Sequence, residues 1–151
     1  MSGFTLIELL IVIAIAAILA AIAVPSFKTM IRNMAVRSAA NDLVADIQFA
    51  RSEATRANRA VSLAFDGRTW QVFTTNASGN RELLRTGSYS EPVEAQDDTL
   101  WFEFAPTGLI TSSANQFPTG ICLETADTPP VQRRVLFPAR AASPVIQVSC
   151  Q

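Results

Sequence analysis

Histidine is missing from all 151 residues, and with it go the commonest general base and the commonest metal ligand. No glycine-rich phosphate loop is present, and the adjacent acids Asp97 and Asp98 resemble turn residues more than a spaced catalytic pair. Enzymatic function therefore has little to stand on, and no cofactor or metal is expected. A net charge of −1 exerts no global pull toward nucleic acid or acidic lipid. There is no internal repeat and no low-complexity tract, and the length allows one small domain beyond an apolar amino-terminal segment.

Charge is also scarce where it matters most. The stretch running to Phe27 carries Glu8 as its only ionisable side chain, and from Leu9 to Val24 every residue is Leu, Ile, Val or Ala. That length meets the roughly 20 residues a helix needs to cross a bilayer core. A carboxylate inside such a helix costs about 2.5 to 3.5 kcal/mol, so Glu8 needs a partner, a function or a place at the headgroup level. A secretory signal peptide would be shorter and basic at its start, with small residues such as Ala20 to Val24 at its far end. A plain single-pass anchor would leave the placement of Gly3 and Glu8 unexplained.

Gly3-Phe4-Thr5-Leu6-Ile7-Glu8 resembles the class III signal of type IV pilins and type II secretion pseudopilins. The resemblance implies cleavage by a prepilin peptidase between Gly3 and Phe4 and methylation of the new Phe4 amino terminus. It also implies that Glu8 neutralises the amino terminus of an adjacent subunit. Opposite charges that both suffer in hydrocarbon relieve each other only in the right register. Family leaders carry Lys or Arg before the Gly, whereas Met1 and Ser2 stand here, and a start placed after the native one would account for the difference. Lys28, Arg32 and Arg37 follow the helix and by the positive-inside tendency would put the remainder in the cytoplasm.

The cysteines argue for the opposite side. Cys122 and Cys150 are the only two. Free buried thiols would suit a cytosolic protein, but a lone pair in an anchored chain, one of them penultimate, reads as a disulfide outside the cytoplasm. Closing a loop of nearly thirty residues would stabilise the fold by roughly 3 to 4 kcal/mol and tie down the tail.

Beyond Pro25, where a kink or local melting is expected, the apolar positions recur at spacings near three and four. They are Phe27, Met30, Ile31, Met34, Ala39, Leu43, Ile47, Ala50 and Ala54, the stripe of an amphipathic helix. Arg32, Arg37, Asp42, Asp46, Arg51 and Arg56 read as solvated charge on its other faces. After Arg59 the period becomes two. Strands are expected at 61–65 and 70–74 around an Asp66-Gly67 hairpin, and at 82–85, 100–104, 120–124, 132–137 and 145–148. Turn residues separate them at Ser78-Gly79-Asn80, Pro106-Thr107-Gly108, Pro118-Thr119-Gly120 and Pro129-Pro130. The fold class is α+β, a long amino-terminal helix laid on an antiparallel sheet. Its parts are a leader remnant (1–3), an assembly helix (4–27), an amphipathic helix (28–59) and a β-rich part (60–151).

Two internal segments narrow the resemblance. Gln48-Phe49-Ala50-Arg51-Ser52-Glu53-Ala54 and Phe102-Glu103-Phe104-Ala105-Pro106-Thr107-Gly108 are similar to the GspH/FimT group. The group includes minor pilins of type IV pili and a minor pseudopilin of type II secretion. The resemblance implies a low-abundance subunit that helps initiate or cap a pilus, with the pseudopilin role as the alternative. Its partners would be other pilins, the prepilin peptidase and the inner membrane, with the domain periplasmic until the helix is drawn into a filament. A third reading is DNA uptake. Arg133, Arg134 and Arg140 form an unopposed basic tail able to contact phosphates, although none follows a Gly as in the DNA-receptor members, and ordinary solvated charge or pairing with the acids of the middle segment is the alternative. Trp70, Trp101 and Phe102 are potential stacking surfaces that in strand runs more often belong to the core.

Overall fold

The computed structural model describes residues 4–76, 78–89, 91–97, 100–112, 120–138 and 143–150. Expectations that fall on Gly3, Asp98, Pro118-Thr119 and Arg140 lie outside these residues. The described residues divide into two compact units, one up to Met34 and one from Ala35 onward.

One helix, α1 (Leu6–Ala57), accounts for nearly all of the first unit and for the start of the second. It continues through Pro25, so the local melting expected there does not occur. Proline removes a single backbone bond, while the ladder on either side persists and the Thr29 hydroxyl donates to the Pro25 carbonyl at 3.3 Å. Phe27, Met30, Ile31 and Met34 are exposed, contrary to their place in the expected stripe. They lie in the first unit, which contains no sheet, and the buried face starts at Val36 and runs through Ala39, Ala40, Leu43, Ile47, Ala50 and Ala54. The helix stops at Asn58, whose φ of 50° is left-handed, and the Arg59 amide donates to the Ala54 carbonyl at 3.2 Å to close the last turn.

The second unit holds two antiparallel sheets where one was expected. The first sheet has the order β3-β2-β1-β5-β6, built from β1 (Val61–Asp66), β2 (Thr69–Thr75), β3 (Arg81–Ser88), β5 (Trp101–Phe104) and β6 (Ile110–Ser112). The second has the order β4-β7-β8-β9, from β4 (Val93–Ala95), β7 (Gly120–Thr125), β8 (Gln132–Leu136) and β9 (Val145–Gln147). β4 and β6 were not expected. At three residues each they are too short to show an alternating pattern. The β1–β2 hairpin pairs Asp66 with Thr69, so its two-residue loop is Gly67-Arg68. Gly67 sits at the first loop position with φ of 58°, which a side chain would disfavour.

Strand alternation delivers the core. Val61, Leu63 and Phe65 of β1, Trp70 and Val72 of β2, and Phe102 and Phe104 of β5 are buried in one cluster with Leu43 and Ile47 of α1. Ile121 and Leu123 of β7 and Val135 of β8 belong to the same cluster. The Phe102 and Phe137 rings meet at 5.1 Å between centroids, joining the first sheet to the chain leaving β8. Cys122 and Cys150 form a disulfide with Cα atoms 5.7 Å apart, so the tail after β9 is covalently part of the domain.

Candidate functional site

Thr5, Leu6, Ile7 and Glu8 begin α1 as a capping sequence. The Leu9 amide makes the first helix bond to the Thr5 carbonyl and the Glu8 amide donates to the Thr5 hydroxyl, both at 3.3 Å, so the Thr5 side chain satisfies a first-turn donor that would otherwise be orphaned. Glu8 places a negative charge at the positive end of the helix dipole. Phe4 is 86% exposed, and every large aliphatic side chain from Leu6 to Val24 is exposed as well. The helix is long and apolar enough to cross a membrane. An exposed apolar helix of this length calls for apolar surroundings, and Glu8 is the one ionisable side chain between Leu6 and Val24.

In the second unit the helix carries a buried acid that its sequence pattern disguised. Asp46 was expected to be solvated. It is buried and accepts a hydrogen bond from Trp70 Nε1 at 2.7 Å, while Arg85 of β3 pairs with its other oxygen at 3.0 Å. The Arg85 guanidinium also lies 5.1 Å from the Phe49 ring centroid. Trp70 in turn occupies the space over Gly87, its cross-strand partner, where an added Cβ would lie 2.1 Å from the indole. Helix, central sheet and edge strand are thereby pinned in one register. The signal in the sequence was Asp46 falling one position before Ile47, on the edge of the apolar stripe, with Trp70 in a strand as a donor requiring a partner.

The two internal segments that carry the family resemblance meet in space. The Arg51 guanidinium lies 5.9 Å from the Phe104 ring centroid, and a Cβ on Gly108 would fall 3.4 Å from Thr55 and 3.7 Å from Arg51. The last turns of α1 therefore seat against β5 and the turn that follows it. Burial pushes the Arg51 guanidinium below its ordinary value. Glu53 accepts two hydrogen bonds from Arg56, at 2.7 and 2.9 Å, and these hold its carboxyl below the usual range.

Of the basic tail, the described residues Arg133 and Arg134 do not share a surface. Arg133 and Arg134 are consecutive on β8, so their side chains leave opposite faces of the sheet; Arg133 shares its face with buried Val135. Among the described residues, Glu82 pairs with Arg59, and Glu91 and Glu94 pair with Arg68. Trp70 and Phe102 are core, whereas Trp101 is 38% exposed on the outer face of the first sheet.

The family model described as Type II transport protein GspH matches residues 39–137, and the model described as Prokaryotic N-terminal methylation motif matches residues 1–24. The chain belongs to the GspH family. Among solved structures, this GspH-family chain is similar to the minor pseudopilin EpsH from the type 2 secretion system of Vibrio cholerae. The TM-score is 0.61 at 11% identity, over 78% of this chain and 99% of that one. It is also similar to the type IV minor pilin FimU of Pseudomonas aeruginosa. One crystal form gives a TM-score of 0.57 at 22% identity, covering 76% and 87% of the two chains; a second gives 0.55 at 23%, covering 75% and 91%. At such identities the likeness establishes a type IV pilin-like fold. No curated protein matches the chain.

Proposed function

We propose that this GspH-family chain is a minor pilin, a low-abundance subunit that helps initiate or cap a type IV pilus. In this reading a prepilin peptidase cuts between Gly3 and Phe4 and the Phe4 amine is methylated. Residues 4–27 then hold the chain in the inner membrane with its remaining parts in the periplasm, until the helix passes into a filament among other pilins. Glu8 meets the Phe4 ammonium of a neighbour, which removes most of the penalty both charges carry in hydrocarbon. The observation that carries the reading is the exposed aliphatic sheath from Leu6 to Val24 with a single carboxylate at its capped start. The type II secretion pseudopilin is the second reading, favoured by the description of the matching family. Both readings use the same helix chemistry. A DNA-receptor role gains no comparable support, because Arg133 and Arg134 diverge.

The test is the amino terminus of the chain recovered from membranes. Intact mass and terminal sequencing should find it beginning at N-methylated Phe4, and Gly3→Val should leave the leader attached. An uncut chain in cells that hold an active prepilin peptidase would overturn the reading.

A further inference from the structure

The outer face of the first sheet contains a trough. On β1 the outward positions are small, Ser62 and Ala64 alternating with the buried Val61, Leu63 and Phe65. Register places Phe73 and Glu103 on either side of Ser62, and Gln71 and Trp101 on either side of Ala64. The resulting depression has a volume of about 320 Å3. One wall is Trp101, exposed on its outer side; the other is Phe73, covered by the Arg81 guanidinium 4.6 Å from its ring centroid. Among the described residues, neither the Arg81 guanidinium nor the Glu103 carboxylate meets an opposite charge.

These features narrow the ligand. The β1 backbone is paired on both sides, by β2 and β5, so a peptide cannot add there as a strand and recognition must come from side chains. One cation and one anion share the trough and cancel, and the phosphates of a nucleic acid would meet Glu103. A flat indole beside a hydroxyl, a carboxylate and a guanidinium suits a ring with apolar C–H faces and a hydroxyl edge. The volume sits at the low end for ligand pockets, enough for roughly one or two pyranose rings. We propose that this trough is a saccharide-binding site that stacks a neutral pyranose on Trp101 and holds its hydroxyls with Glu103 and Arg81.

The test uses the full chain in lipid nanodiscs, free of sugar-based detergent, titrated with cellobiose, maltose and N,N′-diacetylchitobiose. The two indole N–H resonances are followed by NMR, with Trp70 as the internal control. The expected result is a saturable shift of the Trp101 signal by at least one disaccharide, with a Kd of about 1 mM, and a still Trp70 signal. Glu103→Gln should weaken binding about tenfold, and Trp101→Ala should abolish it by calorimetry while leaving the Trp70 resonance in place. No saturable shift with any of the three sugars would overturn the proposal. So would a shift that is unchanged in Glu103→Gln, or one that single-stranded DNA reverses by competition.

Discussion

Replacing Asp46 tests the reasoning about the second unit at its most buried polar contact. Asp46→Ala removes the acceptor of the Trp70 indole and leaves a fully buried N–H unpaired, which costs about 2 kcal/mol. Loss of the Arg85 pair adds only about 0.5 kcal/mol, because half of the Arg85 side chain faces solvent. Asp46→Asn retains an amide oxygen for the indole and loses only the charge, at a cost of about 1 kcal/mol. With roughly 4 °C per kcal/mol for a unit of this size, the alanine variant should melt about 10 °C below wild type and the asparagine variant about 4 °C below it. Thermal unfolding of the full chain in nanodiscs, followed by near-ultraviolet circular dichroism, reads both. A Trp70→Phe background supplies the cycle: there Asp46→Ala should lose most of its effect. An alanine variant that melts with wild type, or alanine and asparagine variants that melt together, would refute the hydrogen-bond account.

Gly87→Ala should destabilise the sheet by roughly 2 kcal/mol, since the new methyl would enter the Trp70 ring, and the same melts will show it. Replacing Cys122 and Cys150 together by Ser should cost about 3 to 4 kcal/mol and raise amide exchange in β9 ahead of β1, as measured by hydrogen exchange mass spectrometry. Glu53 has a folded-state pKa below its unfolded value, so the stability it contributes is present above the unfolded pKa and is lost as pH falls through the folded one. The stability gap between wild type and Glu53→Gln should therefore be constant near neutrality and close below about pH 4, in melts taken across a pH series.

Much of this fold could be read from residues alone, and the failures have physical causes. The apolar run needs no tertiary context, because a bilayer-length helix is specified by its own composition. β1 and β2 declared themselves by alternation and by Asp66-Gly67, and the disulfide by a lone cysteine pair, whereas β3, expected at 82–85, runs from Arg81 to Ser88 because its side chains are mostly exposed and show no alternation. Asp46 was misread because helical spacing reports the apolar stripe and not the polar partner waiting across it. Trp70, 24 residues further on, decides its burial. Phe27, Met30, Ile31 and Met34 continue the stripe in sequence but lie in the unit without a sheet, so periodicity predicted a burial that this chain alone does not provide. The separation of Arg133 from Arg134 follows from strand geometry, and counting charge along the tail conceals it.

The claim that α1 assembles through one carboxylate is tested most directly by tracking Glu8→Ala in sheared filaments, with total membrane chain as the reference. Normal processing to Phe4 and normal membrane levels are expected, with loss of the variant from the filament fraction. A Glu8→Ala chain that enters filaments as readily as wild type would contradict it.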